Sequence, residues 1–303
     1  MLSPTPMPFK TNRPFAPVAR LSGFSLLGFS GPEADAFLQA QTMNDVHALA
    51  PGRWHWNGWL NAKGRVIALF ALAKLAEGEF IAVLPDFPAT ELATQLQRFV
   101  FRAKVRMQAL TELQVAGDLA PPADGDETSA PDRVAGNLSA GLRLDFSGDG
   151  GRRHLWLLPT AHPALSAAAP ELDTQWMAAD LAHGLPRLDA EQRESWTPQM
   201  LSLDRLRAYS LKKGCYPGQE IVARTHYLGQ AKRGLRQVQG RGLQSGAAVC
   251  DSPGKVLGSL LCVTADARRA LAVLPAEHAG ESAFIDGQAV SLLPLLAGLQ
   301  RPL

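Results

Sequence analysis

The apolar pattern of the 303-residue chain changes near Leu228, and this change constrains the fold more than any other feature. Beyond it, short apolar runs such as KVLGSLLCV and ALAVLP are separated by glycine and proline, which is typical of a small β-barrel. Before it, helical and strand-like segments are mixed. The sequence therefore predicts an α+β region over residues 21–230 and a C-terminal β-barrel over residues 231–303.

Several elements of the α+β region can be placed from their residues. Pro32 and the acid after it begin a helix. The apolar runs at residues 65–75 and 80–86 predict two buried strands joined by a tight turn. A second helix should bury one face of residues 92–100. A third helix is expected around residues 176–183 and should end at the glycine and proline that follow.

Two segments are predicted to lie outside regular structure. Residues 1–20 are rich in proline and lack the apolar centre of a signal peptide, so we expect a loose tail on a cytosolic protein. Residues 116–136 are acidic, rich in Pro, Gly and Asp, and without periodicity, which predicts a loop. No run of about 18 apolar residues occurs, so no membrane span is expected.

The chain has three cysteines, Cys215, Cys250 and Cys262, with no CxxC pair, and its seven histidines are scattered. This spacing argues against a disulfide framework and against a bound metal. Cys250 and Cys262 stand in apolar strand-like runs and are expected to be buried thiols.

Positive charge gathers around Cys215. Residues 204–241 hold nine Lys or Arg side chains against two acids, whereas the whole chain has a net charge of only +2. Such a segment is either an anion-binding surface or a solvated basic face, and charge alone favours the second.

The segment LKKGCYPGQEIVAR contains Cys215. Pro217 and Gly218 form either a turn or the first residues of a helix, and both leave Cys215 at the mouth of a turn or at a helix N-terminus. A small buried thiol is the commonest state of a free cysteine, but the polar, basic surroundings of Cys215 favour a partly exposed one. Nearby Lys213 and Arg224 should stabilise the thiolate and lower its pKa, so the thiol could be a nucleophile, a redox sensor or a transient ligand. Glu220 could be a general base or simply an acid of the first helical turn.

The stretch KGCYPGQE resembles the K-G-C-aromatic-x-G-Q-E signature of the YgfZ family, folate-binding proteins related to the aminomethyltransferase of glycine cleavage. The segments LQAQTMNDV, NAKGRV, GLPRLD, TPQMLSLD and LGQAKRGL are similar to further segments of that family, in the same order. The resemblance thus covers most of the chain.

The resemblance implies an α+β fold in which three domains form an aminomethyltransferase-like ring around a central folate channel. It also implies binding of tetrahydrofolate or a derivative, and support for the assembly or repair of iron–sulfur enzymes, which would be its clients, and through them for tRNA modification. The motif cysteine is the residue on which function would depend. The reactive-site candidates are Cys215, Lys213, Gln219, Glu220 and Arg224.

The same resemblance suggests residues of the folate pocket. A pocket tryptophan corresponds to Trp176 and another aromatic position to Phe24, where better-known members carry tryptophan. Asn61, in the NAKGRV turn, is the third candidate. A pterin ring could stack on Trp176, but the residues alone equally allow a core tryptophan at a helix. The anionic glutamate tail of a folate would suit the basic segment.

Two other functions stay open at this point. A true aminomethyltransferase is disfavoured, because those enzymes carry an aspartate where this chain has the apolar run 66–70 and lack the cysteine signature. An RNA-binding scaffold would use the basic segment, but no RNA-binding module is recognisable and its aromatic residues are only Tyr209, Tyr216 and Tyr227. A monomer is expected, and whether the protein is an enzyme is left open.

Overall fold

The computed structural model describes residues 18–120, 130–229, 231–251, 254–278 and 280–302. In chain order, its strands and helices are β1 (Val18–Arg20), β2 (Phe24–Ser30), α1 (Ala34–Gln41), β3 (Arg53–Leu60), β4 (Val66–Ala76), β5 (Glu79–Pro85), α2 (Ala89–Gln97), β6 (Arg106–Ala109), β7 (Leu113–Ala120), β8 (Ala135–Asn137), β9 (Gly141–Asp145), β10 (Arg152–Pro159), β11 (Leu165–Ser166), α3 (Pro170–Ala182), α4 (Gln219–Leu228), β12 (Arg233–Gln239), β13 (Ala248–Cys250), β14 (Val256–Val263), β15 (Arg269–Pro275), β16 (Ser282–Ile285) and β17 (Gln288–Leu293). They form two open sheets and one closed barrel.

The first sheet is antiparallel, with strand order β3-β4-β5-β2-β6. Its longest strand is β4, which lies between β3 and β5 and whose residues 66–74 are all buried. On one face, α1 and α2 pack through Phe37, Leu38, Leu92 and Leu96. The two predicted strands and the first two predicted helices are therefore confirmed.

The second sheet has the order β11-β1-β7-β10-β9-β8. Part of the loop predicted at residues 116–136 is wrong, since residues 116–120 belong to β7 and pair along their length with β10. Backbone hydrogen bonds to β10 hold residues 116–120 in a strand, although their composition is typical of a loop. Residues 121–129 lie outside the described residues. Likewise residues 18–20 of the predicted tail form β1, and residues 1–17 are not described.

The C-terminal strands form a closed barrel in the order β12-β15-β14-β13-β16-β17, with β17 pairing back onto β12. Closure leaves no unpaired strand edge, which a short-stranded β module needs for stability. Its centre is filled by alternating side chains such as Val238, Leu260, Ala272 and Ala283. The predicted barrel is confirmed.

The regions meet at an aromatic core. Trp54 and Trp56 lie on β3, and both are buried. Phe146 stacks on Trp54 with ring centroids 5.1 Å apart and lies 5.9 Å from the ring of Trp176 on α3. No helix in the described part of the chain is long and apolar enough to cross a membrane.

The segment after the barrel, residues 294–302, crosses this core and joins all three regions. Leu296 donates its backbone N–H to Ala182 at the end of α3, and the Trp56 indole donates to the carbonyl of Leu299 at 2.8 Å. The guanidinium of Arg301 is fully buried 4.6 Å from the centre of the Trp54 ring. Burial lowers its pKa to about 10.

Candidate functional site

Cys215 is exposed and lies in the loop that directly precedes α4. The hydroxyl of Ser210 accepts the backbone N–H groups of Lys212 and Lys213, and the amide of Gln219 donates to the carbonyl of Lys213 at 3.3 Å. The loop is therefore closed on itself, and Cys215 projects from a defined turn.

Lys213 anchors this loop to the rest of the molecule. Its ammonium is buried and donates to the carbonyls of Thr42 and Asn44, the latter at 2.8 Å. Burial lowers its pKa to about 7. Burial of the His55 ring, together with the nearby charge of Lys213, lowers the pKa of His55 to about 3. Lys213 thus acts on Cys215 through the loop backbone, while its charged group is directed into the protein.

The loop rests on the turn that contains Asn61. Gly218 has a φ of 77°, and a Cβ atom there would lie 2.5 Å from the carbonyl oxygen of Asn61 and 2.6 Å from Gly64. Only glycine fits such a position. The Asn61 carboxamide accepts from the backbone of Lys63 and Arg65. Asn61 therefore belongs to the surroundings of Cys215, and the structure does not place it at the cavity described below.

The other reactive-site candidates lie on α4. Gln219 and Glu220 are in its first turn, and Arg224 is exposed one turn later. Gln219 closes the cysteine loop through the hydrogen bond already described. The predicted effect of Arg224 on the thiol stays a prediction, as does a base role for Glu220.

A cavity of about 400 Å³ lies between the first sheet, α3 and the barrel, and Phe24 is connected to it through Arg187, one of the lining residues. The guanidinium of Arg187 lies 4.8 Å from the centre of the Phe24 ring and forms an ion pair with Asp86. This ion pair and the Asp180 carboxylate raise the pKa of Arg187. The lining combines charged and apolar side chains: Asp86, Met177, Arg187, Asp189, Ala190, Ser245, Cys262 and Val263.

Trp176 precedes Met177 on α3, but its own ring is buried in the core. A Cβ on Gly117 would lie 2.8 Å from the ring, so β7 packs closely against it. The guanidinium of Arg153 lies 5.1 Å from the ring centroid. In this conformation Trp176 is a core residue, and a stacking contact with a ligand stays a prediction.

The sequence reasoning missed a buried chain of charges that connects the core with the cavity. Asp180 of α3 accepts from Arg153 at 2.6 Å and from Arg187 at 3.2 Å, and Arg187 in turn binds Asp86. A usable signal existed, because Arg187 stands between apolar residues in GLPRLD. Charged residues in such surroundings are buried only when they are paired.

Cys262 is a buried thiol as predicted, whereas Cys250, also predicted to be buried, is half-buried at the end of the short strand β13. Burial raises the pKa of Cys262 to about 12, so the thiol stays protonated near neutral pH. Within the ranges that the structure describes, no group of three or more His, Cys, Asp or Glu side chains is placed to hold a metal ion.

Comparison with known proteins decides the family. The chain is 32% identical over 253 residues to the tRNA-modifying protein YgfZ of Edwardsiella ictaluri, a match that covers 76% of each chain. It is 30% identical over 233 residues to the protein of the same name from Vibrio vulnificus, covering 74% of this chain and 70% of that one. The chain belongs to the YgfZ family. The resemblance drawn from its motifs is thereby confirmed.

The fold agrees with that of a solved structure. The crystal structure of the glycine cleavage system aminomethyltransferase T from Bartonella henselae matches with a TM-score of 0.71 at 17% identity, covering 94% of this chain and 88% of that one. The predicted α+β, aminomethyltransferase-like fold with a C-terminal barrel is therefore confirmed for this YgfZ-family chain. No protein-family model matches the chain.

Proposed function

We propose that this protein binds a tetrahydrofolate in the cavity lined by Arg187 and Asp189. It would act through Cys215 as an accessory factor for iron–sulfur enzymes. Through those client enzymes it would support tRNA modification, in keeping with the name of its YgfZ relatives. The observation that carries the proposal is an exposed thiol on a loop that is anchored by a buried lysine, in a protein with the fold of a folate-using transferase.

The cavity fits the chemistry of a folate. Its volume of about 400 Å³ lies within the range of roughly 300–1,000 Å³ that is usual for small-molecule pockets. Phe24 packs on the guanidinium of Arg187 and so helps to position this lining residue. Carboxylates such as Asp189 can accept hydrogen bonds from pterin N–H groups. When bound, the folate would supply a one-carbon carrier.

Cys215 has the exposure that a reacting thiol needs, and the loop fixes where it stands. The hydrogen bonds of Ser210 and Gln219 hold the turn, and Lys213 binds it to residues 42–44. Holding a side chain in a fixed place reduces the entropy lost when a partner reacts with it. Replacing Lys213 should therefore weaken function even with Cys215 intact.

Transfer of an aminomethyl group is not proposed. The run Val66–Phe70 of β4 is wholly apolar and buried, so it provides no carboxylate at the position where the transferases carry one. Asp86, directly after the neighbouring strand β5, is already paired with Arg187.

Two measurements test the proposal. Calorimetric titration with tetrahydrofolate and with its 5-formyl derivative should show one saturable site, and Phe24→Ala should weaken it whereas Asn61→Ala should not. Absence of binding to folded protein would remove the folate from the proposal.

In cells that lack the chain, Cys215→Ala should fail to restore the activity of iron–sulfur enzymes although it folds and binds folate as the wild type does. Cys250→Ala is the matched control, since that thiol is half-buried on a barrel strand. Full restoration by Cys215→Ala would show that the thiol is not required.

A further inference from the structure

The helix that follows the cysteine loop carries an exposed apolar surface. Ile221, Tyr227 and Leu228 are 39%, 69% and 82% exposed, and they are three of the seven exposed large apolar side chains in the described part of the chain. Ile221 and Leu228 are two helical turns apart and so lie on the same face of α4. We call these three residues, with Lys212, Arg224 and Lys232, the α4 patch.

The exposure of this face is not required by the packing of the helix. Val222 is fully buried and the side-chain amide of Gln199 donates to its carbonyl at 2.8 Å, so the inner side of α4 is held independently. Large apolar side chains gathered on one exposed face usually mark an interaction site, because their exposure to water is unfavourable.

The positive charges of the patch indicate that the partner surface carries negative charge. Lys212, Arg224 and Lys232 are exposed, and among the described residues none of them forms an ion pair. Glu220 is the only acid of the sequence between Asp204 and Asp251. A surface that combines apolar side chains with unpaired cations is complementary to one that combines apolar side chains with carboxylates.

The apolar part of the patch favours a protein over the other possible occupants. The aliphatic side chains of Ile221 and Leu228 gain nothing from sugar and phosphate, and nucleic acid would rely on stacking by Tyr227 alone. A second copy of the chain, placed with patch against patch, would bring like charges together. An acidic partner protein satisfies both components.

We propose that the α4 patch is the docking surface for a partner protein that presents apolar side chains ringed by carboxylates. α4 is about 14 Å long at 1.5 Å per residue, and Cys215 lies only four residues before its first residue. An ordinary interface of roughly 800 Å² per partner, centred on α4, therefore extends to the thiol. That this partner is the client protein served at Cys215 rests on the proposed function.

Leu228→Asp tests the docking surface, with Val256→Asp as its control. Val256 is 61% exposed on the barrel, so both substitutions put a carboxylate in place of an exposed aliphatic side chain. We expect Leu228→Asp to lower the restoration of iron–sulfur enzyme activity in cells by about tenfold or more, as interface core residues do. Its thermal midpoint and its calorimetric affinity for tetrahydrofolate should be unchanged, and Val256→Asp should behave as the wild type. Full restoration by Leu228→Asp would overturn the proposal.

A photoreactive benzophenone amino acid at position 228 identifies the occupant. We expect a crosslink in cells to an iron–sulfur protein, weakened when Arg224→Glu reverses the charge of the patch. A nuclease-sensitive product, or a gel shift of bulk tRNA that Leu228→Asp abolishes, would overturn the proposal in favour of RNA, and a crosslinked dimer would overturn it in favour of self-association. If Leu228→Asp fails in cells while Cys215→Ala succeeds, the docking surface stands and the thiol role fails.

Discussion

Removing the carboxylate of Asp180 should destabilise the protein strongly. Asp180 is 1% exposed and neutralises two buried guanidiniums, with Oδ1 2.6 Å from Arg153 and Oδ2 3.2 Å from Arg187. Asp180→Ala leaves Arg187 its pair with Asp86 but leaves Arg153 with no carboxylate partner among the described residues. Breaking a buried ion pair on one side costs about 3–5 kcal/mol, because a desolvated charge is left without a partner.

Urea unfolding, followed by tryptophan fluorescence, measures this cost as a lower midpoint at an unchanged slope. Gln175→Ala is the control, since Gln175 is exposed on the same helix and its loss should stay within about 0.5 kcal/mol. The double variant Asp180→Ala with Arg153→Met should recover part of the loss, because it also removes the stranded charge. A loss below about 1 kcal/mol for Asp180→Ala alone would refute the reasoning.

Three further predictions concern the pH response, the cysteine loop and the folate pocket. Burial lowers the pKa of His55 to about 3 in the folded protein against about 6.5 unfolded, so the stability that neutral His55 contributes is fully present above pH 6.5 and is lost towards pH 3, by up to about 1.4 kcal/mol per pH unit. His55→Gln should flatten this dependence in urea titrations at pH 5 and 8, whereas the same change at exposed His47 should not. Gly218→Ala should cost about 1–2 kcal/mol for its positive φ alone and should displace the cysteine loop, while Gly229→Ala, with an extended backbone and open space, should not. Trp176→Ala should weaken tetrahydrofolate binding by about 1–3 kcal/mol in calorimetry if the ring stacks on the ligand, and an unchanged affinity in folded protein would assign Trp176 to the core.

Local patterns were sufficient where neighbouring residues alone decide the structure. The apolar run of β4 and the amphipathic spacing of α1 predicted those elements, because burial of a regular pattern is a local property. β7 was missed in part, since its stability depends on pairing with β10, which is 32 to 46 residues away along the ladder. The burial of the β3 tryptophans likewise depends on partners far away in the chain, which the sequence does not show.

The sequence by itself determined the family, the barrel and the turn or helix start beside Cys215, since these depend on ordered motifs, on strand spacing and on the chemistry of Pro217 and Gly218. Only the tertiary structure decided that Lys213 points inward to the carbonyls of residues 42 and 44 and that Asn61 supports the cysteine loop. The same holds for the chain of charges from Arg153 to Asp86. Contacts between residues far apart in sequence depend on how the sheets and the barrel pack together, and no local pattern records that packing.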